Sequence, residues 1–148
     1  MTRQRLALLV YSAVVFVAGV AAGELWSGPA AATAQAAPRV FELRTYTAPD
    51  GKLPDLHRRF RDHTLRLFAK HGMTNVVYLS PQDAPLSGNT IIYLLAHQSR
   101  EAAKQSWSAF ANDPEWKKVA AESEANGKIL ASTPQRMFLD PTDYSPMK

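Results

Sequence analysis

In the first half of the chain, hydrophobic residues recur first at every second position and then at every third or fourth position. The segment Val40–Thr47 alternates, contains two aromatic residues and two threonines, and predicts a strand. After the turn residues 48–51, Pro54 suits the first turn of a helix. That helix ends at His71-Gly72, and its expected buried stripe is Leu53, Leu56, Phe60, His63 or Thr64, and Leu67.

The second half repeats the order of strand and helix. Residues 76–80 predict a short strand, residues 81–89 a loop, and residues 90–97 a strand that is apolar on both faces. Ser99 is a typical N-cap for a helix that buries Ala103, Trp107 and Phe110. Asp113 and Pro114 begin a further helix, which Gly127 ends. The last predicted strand is Ile129–Leu139, with Pro134 at a bulge or a sheet edge.

The resulting order βαββαβ predicts an α+β fold of the ferredoxin-like type. Its sheet is antiparallel and its helices cover one face. The strand around residues 91–96 is apolar on both faces, so its second face also needs a cover. We therefore expect a homodimer in which the sheets of two subunits pack face to face.

The N-terminal segment differs from the rest in composition. Arg3 and Arg5 precede the uncharged run Leu6–Gly23, and an Ala-rich stretch, residues 29–37, follows. This order is typical of a secretory signal peptide, but the run approaches the length that spans a bilayer, so an uncleaved membrane anchor is the alternative. We assign residues 1–36 to this segment and 37–148 to one domain outside the cytoplasm, either periplasmic, secreted or membrane-tethered.

Composition removes several function classes. The chain has no cysteine, which excludes disulfides, thiol nucleophiles and cysteine zinc sites. Its formal net charge is +4, but Asp55, Arg59, Asp62 and Arg66 alternate in sign at helical spacing. We interpret that pattern as a solvated helix face, and we expect no nucleic-acid partner. No motif indicates a metal or a cofactor, and there is no Gly-rich phosphate loop.

His63 is the strongest candidate for a catalytic residue. It falls in the apolar stripe of the first helix, where an imidazole can act as a general base or a proton shuttle. A structural alternative is a buried histidine with one hydrogen bond, or a ring at the edge of the stripe with Thr64 in the inner place. A haem or metal role has less support, because no second ligand has a recognised spacing.

Six further residues are candidates for a pocket or an interface. Glu42, Arg44 and Tyr46 share one face of the first strand, and Tyr93 and His97 share one face of the third. If these faces coincide, Arg44 can clamp a carboxylate while a tyrosine donates a hydrogen bond. The structural alternative is a Glu42–Arg44 network that sets the dimer register. Trp107 either packs in the core or roofs a ligand pocket.

The segments 42–46, 60–73, 99–116 and 141–146 together resemble the NIPSNAP family from about residue 39 to the end. The resemblance implies a ferredoxin-like domain paired into a dimeric α/β barrel. The wider superfamily includes cofactor-independent oxygenases, haem-degrading enzymes and isomerases, whereas the NIPSNAP branch has no generally accepted reaction. Eukaryotic members are associated with mitochondria, a role that we do not transfer to a short chain headed by an export segment.

Three functions remain open on sequence grounds. The first is a binding module without turnover, which takes a small apolar or aromatic ligand or a protein. The second is a cofactor-free oxygenase or isomerase of a small aromatic or lipid-like substrate, with His63 as base and Arg44 or Tyr46 orienting the substrate. The third is a structural role at the membrane surface through residues 6–23.

Overall fold

A computed structural model describes residues 39–147. The first helix is divided by one π-helical turn, and a short 3-10 turn, Leu86–Gly88, precedes the third strand. The elements in chain order are β1 (Val40–Thr47), α1 (Leu53–Arg59), the π turn (Phe60–Thr64), α2 (Leu65–Lys70), β2 (Thr74–Leu79), β3 (Thr90–His97), α3 (Arg100–Asn112), α4 (Pro114–Ser123) and β4 (Gln135–Leu139).

The four strands form one antiparallel sheet in the order β2-β3-β1-β4. β1 and β3 pair along their whole length, from Val40 opposite His97 to Thr47 opposite Thr90. The predicted α+β, ferredoxin-like fold is therefore confirmed, and the bounds of β1 and β3 are those the pattern predicts. The side chains of Ser99 and Asp113 cap α3 and α4, accepting hydrogen bonds from the amides of Ala102 and Glu115.

The main core lies between the sheet and the helices. Leu56 and Leu67 from the first helix are fully buried, as are Tyr93 and Leu95 from β3. Aromatic rings fill the middle: the ring centroids of Phe60 and Tyr93 are 5.3 Å apart, in the edge-to-face arrangement that aromatic quadrupoles favour.

The π turn corrects the predicted stripe of the first helix. The Leu65 amide donates to the Phe60 carbonyl and the Thr64 hydroxyl to the Arg59 carbonyl, both five residues back. A π turn accommodates one residue more than an α-helical turn and so shifts which residues face the sheet; Thr64 takes the buried place and His63 is only half-buried at the flank. The prediction that His63 faces the sheet is wrong on this point, and the Thr64 alternative is confirmed.

The last strand is shorter than predicted. Only Gln135–Leu139 pairs with β1, while Ile129 is fully buried in the core ahead of it. Pro134 lacks an amide hydrogen and directly precedes the first paired residue, so the ladder begins after it. β4 is an edge strand, as the position of Pro134 indicates.

The sheet face opposite the helices is apolar. Val77, Leu79, Met137 and Leu139 project from this open face and are 37–58% exposed. The C-terminal residues 140–147 turn back and leave a shallow groove of about 270 Å³ against Phe41, Leu94 and Leu139.

No helix within residues 39–147 is long and apolar enough to cross a bilayer. The predicted signal peptide or anchor, residues 1–36, lies outside the described residues.

Candidate functional site

The six pocket candidates from the sequence come together under the helices. Glu42 lies on β1 and is fully buried. Its Oε1 accepts from Arg44 at 2.8 Å, and its Oε2 accepts from Trp107 at 2.6 Å and faces His97 Nε2 at 3.0 Å. A carboxylate offers only acceptors, so Nε2 of His97 carries the proton. The Glu42 cluster, meaning Glu42, Arg44, His97 and Trp107, is therefore one polar network.

Electrostatics keep Glu42 ionised. Burial raises the pKa of the Glu42 carboxyl, but hydrogen bonds from His97, Trp107 and Arg44 outweigh burial and hold that pKa below its ordinary value. The Arg44 guanidinium lies over the Trp107 ring at 4.0 Å, which fixes both side chains. All three neighbours of Glu42 stabilise the same charged form.

Tyr46 and Tyr93 extend this polar region into the core. Their ring centroids are 5.3 Å apart, and burial raises the pKa of Tyr93 far above its usual range, so its phenol stays neutral. Within residues 39–147, Tyr93 Oη, Arg44 Nε and His97 Nδ1 are buried without a hydrogen-bond partner. Arg44 and Tyr93 face each other across β1 and β3, on the helix-covered side rather than on the open face.

A second feature is an inner cavity of about 140 Å³ between the sheet and the helices. Tyr46 of β1 and Leu130 contribute to its walls, together with Phe60 and Thr64 of the π turn and Phe110 of α3. α4 and its end add Trp116, Ala120 and Glu124. Most of this lining is aromatic or apolar, and Arg59 supplies the one basic group within the described residues.

Arg59 is 4% exposed, so its assignment to a solvated helix face is wrong. Its Nη1 makes long contacts, 3.5 Å to Ser123 Oγ and 3.4 Å to Glu124 Oε1, and its Nε has no partner within residues 39–147. The guanidinium carbon lies 5.2 Å from the Trp116 ring centroid. Burial lowers the pKa of Arg59 below its ordinary value, although a guanidinium stays protonated in proteins. The cavity wall thus holds a buried cation that has a long ion pair with Glu124 and one donor, Nε, without a described partner.

His63 lies in a different place. It lines an outer groove of about 240 Å³ between the first helix and α4, with Asp55, Arg58, Arg59, Asp62, Val119, Glu122, Ser123 and Asn126. Arg59 belongs to the linings of both the outer groove and the inner cavity, whereas His63 belongs to the groove alone. The structure therefore does not bring His63 together with the Glu42 cluster.

The sequence contained one signal for Arg59 that the alternating charges concealed. Arg59 follows the buried Leu56 by three residues and immediately precedes Phe60, so it lies beside the apolar stripe. Trp116 is not among the candidate site residues from the sequence, and its place in the cavity depends on how α4 packs. Within residues 39–147, no group of three His, Cys, Asp or Glu side chains is placed to hold a metal ion.

Residues 39–147 form a ferredoxin-like α+β domain with a small, largely aromatic cavity beneath its helices. The NIPSNAP family model matches residues 41–146, and the chain belongs to the NIPSNAP family. The resemblance drawn from the sequence is thereby confirmed. No protein of curated function matches the sequence significantly.

Solved structures agree with this fold. A NIPSNAP family protein of unknown function from Agrobacterium tumefaciens is 19% identical with a TM-score of 0.65, over 76% of this chain and 96% of that one. A second from the same organism is 21% identical with a TM-score of 0.65, over 74% and 99%. A NIPSNAP-like domain protein from Burkholderia xenovorans is 17% identical with a TM-score of 0.63, over 74% and 90%.

More distant neighbours include SnoaB, a cofactor-independent oxygenase from Streptomyces nogalater. It is 15% identical with a TM-score of 0.49, over 74% of this chain and 99% of that one. Likeness at this level says nothing about the activity of the present protein.

Proposed function

We propose that the domain is a small-molecule-binding module that holds its ligand in the inner cavity. The observation that carries the proposal is Arg59, a buried and incompletely paired guanidinium in an otherwise largely aromatic chamber. Burying a cation is costly unless it is paired and hydrogen-bonded. Arg59 is paired with Glu124 at 3.4 Å, but its Nε has no described acceptor. A ligand whose carboxylate contacts Arg59 and whose apolar part packs on Phe60 and Trp116 supplies that acceptor.

The size of the cavity limits the ligand. Its volume of about 140 Å³ is close to the roughly 150 Å³ of a dry cavity that holds benzene. It is well below the roughly 300–1,000 Å³ of pockets for drug-sized molecules. The expected ligand is therefore a single-ring aromatic acid or a short branched acid.

Binding without turnover fits the arrangement better than catalysis. A general base must lie within hydrogen-bond reach of the proton that it removes. His63 opens to the outer groove and does not line the inner cavity, and Glu42 is held by three donors. No observation within the described residues favours the oxygenase or isomerase alternative with His63 as base.

The test is titration of the purified chain with 4-fluorobenzoate, followed by fluorine NMR and calorimetry. We expect saturable binding that Arg59→Gln weakens at least about tenfold, because a charge-assisted pair is lost. Arg61→Gln is the matched control, since Arg61 is exposed and lines neither the cavity nor the outer groove. The neutral 4-fluorobenzyl alcohol should bind the wild type and Arg59→Gln equally. Absence of saturable 4-fluorobenzoate binding, or an equal loss of affinity in Arg59→Gln and Arg61→Gln, would overturn the proposal.

We further propose that the open face pairs with that of a second copy of the chain. Val77, Leu79 and Met137 form an exposed apolar surface, of the kind that marks an interaction site. Sedimentation of the wild type at micromolar concentration should show a dimer, and Leu79→Glu should shift it to a monomer. Leu86→Glu, in the exposed 3-10 turn and outside the four strands, is the control. A wild-type monomer would refute this pairing.

We also propose that the domain is exported or tethered outside the cytoplasm. Support comes from Arg3 and Arg5 before the apolar run Leu6–Gly23. The intact mass of the protein from the cell envelope separates the two modes. Loss of about the first 36 residues indicates cleavage, and the full mass in the membrane fraction indicates an anchor. Full-length protein in the cytoplasmic fraction would refute export.

A further inference from the structure

We propose a second binding site, for a small molecule that carries two or more negative charges, in a basic groove at the β4 edge of the sheet. The groove has a volume of about 360 Å³. We define the basic groove by its lining residues, which come from α3 (Arg100, Glu101, Lys104 and Trp107) and from β4 (Arg136 and Phe138). The site is separate from the inner cavity, with which it shares no lining residue.

The first argument is uncompensated charge. Most basic side chains on the helices have carboxylate partners, such as Arg66 with Glu115 and Lys70 with Asp113. Arg100, Lys104 and Arg136 form no ion pair with any of residues 39–147. Three cations and one carboxylate thus line the same concavity, so the groove attracts anions.

The second argument is the position of Arg136. In the register of β4 and β1, Arg136 lies directly opposite Arg44, on the helix-covered face of the sheet. Like charges opposite each other destabilise a sheet. Glu42 compensates Arg44 at 2.8 Å, but no described carboxylate does the same for Arg136. A bound oxyanion would supply the missing charge.

The third argument is preorganisation. The Arg100 guanidinium lies 4.6 Å from the centroid of the Phe138 ring, and this contact restricts its rotamers. A held guanidinium loses less freedom when it forms the paired hydrogen bonds that phosphate and carboxylate oxygens accept. Charged residues on an edge strand also keep other strands away. That role accounts for Arg136, but not for Arg100 and Lys104, which lie on α3.

Two features favour a small molecule over a flat anionic surface. The groove is concave, and Arg100 and Arg136 approach it from different elements, a helix and a strand. It also lies on the helix side of the sheet, so pairing of the open faces would leave it accessible. The ligand chemistry is therefore a polyvalent oxyanion, either a diphosphate or a polycarboxylate.

The experiment is calorimetric titration of the full chain with inorganic pyrophosphate at low and at moderate sodium chloride. We expect one saturable site whose affinity falls with salt. The double variant Arg100→Gln/Arg136→Gln should bind at least about tenfold more weakly. The matched control Arg61→Gln/Lys117→Gln removes two exposed charges outside the groove, and should keep wild-type affinity.

Three results would overturn the proposal. They are the absence of saturable binding, an equal loss of affinity in the two double variants, and binding to phosphatidylglycerol vesicles without binding of free pyrophosphate.

Circular dichroism shows whether each variant is folded. Arg100→Lys/Arg136→Lys retains the charges but not the paired donors, and intermediate affinity for it supports bidentate contacts. Because Arg59 lies outside the groove, Arg59→Gln should leave pyrophosphate binding unchanged. Failure here is thus distinguishable from failure of the inner cavity proposal.

Discussion

The buried Glu42 carboxylate allows the sharpest test of how this domain is stabilised. The change Glu42→Gln keeps the shape of the side chain and removes its charge. In the wild type, Glu42 accepts from Arg44 at 2.8 Å and from Trp107 at 2.6 Å, and its third partner, His97, lies at 3.0 Å. A glutamine has one acceptor oxygen, and its amide group would face donors.

The expected loss follows from the number of partners and their burial. Removing one member of a buried ion pair costs about 3–5 kcal/mol, because the other charge stays buried without compensation. Arg44 is that other charge, and its side chain is 12% exposed. Domains of this kind are stable by about 5–15 kcal/mol, so Glu42→Gln removes a large part of the free energy of unfolding.

Urea unfolding at fixed protein concentration measures this loss. With an m-value of about 2 kcal/mol/M, the midpoint should fall by roughly 1.5–2.5 M. Glu122→Gln is the control, because Glu122 is 66% exposed and its ion pair with Lys118, at 3.8 Å, should contribute about 0–1 kcal/mol.

A double-mutant cycle with Trp107→Phe isolates one of the three bonds. Alone, Trp107→Phe should cost about 1.5–3 kcal/mol, the range for a hydrogen bond to a charged group, and it should cost less in the Glu42→Gln background. A loss below about 1 kcal/mol for Glu42→Gln would refute the inference that the charge at Glu42 stabilises the fold.

Three further predictions concern stability, each measured by urea unfolding. Hydrogen bonds from Lys70 and His71 hold the pKa of Asp113 well below its usual range. The contribution of ionised Asp113 to stability is therefore present above its unfolded-state pKa and is lost as pH falls through its folded-state pKa. Asp113→Asn should flatten this dependence of stability on acid pH, and an unchanged pH profile would contradict the prediction. Leu56→Ala should cost about 2–5 kcal/mol because Leu56 is fully buried, and an exposed leucine, Leu86→Ala, should cost under about 0.5 kcal/mol; equal losses would contradict the packing of the first helix. Ser99→Ala should lower the free energy of unfolding by about 1 kcal/mol through loss of the helix cap, and Ser99→Thr should keep most of the stability that the cap contributes.

Local chemistry explains which elements the sequence predicts. β1 and β3 have the expected bounds because alternation and continuous apolarity are properties of a few consecutive residues. The caps Ser99 and Asp113 are likewise local, since each side chain bonds an amide two or three residues ahead. The β1–β3 register then places Glu42 and Arg44 on the same face as Tyr93 and His97, as the alternation along each strand predicts, whereas Trp107 joins them from α3.

The remaining features depend on contacts between distant segments. The π turn gives the buried position to Thr64 and leaves His63 in the outer groove, whose other wall comes from α4. Arg59 has the charge pattern of a solvated residue, yet α4 covers it with Trp116, Ser123 and Glu124, more than fifty residues away in the chain. The sequence determines which segments are strands or helices, because hydrogen bonding and periodicity are short-range. Only the tertiary structure decides which polar side chains are enclosed, because burial depends on what another element places above them.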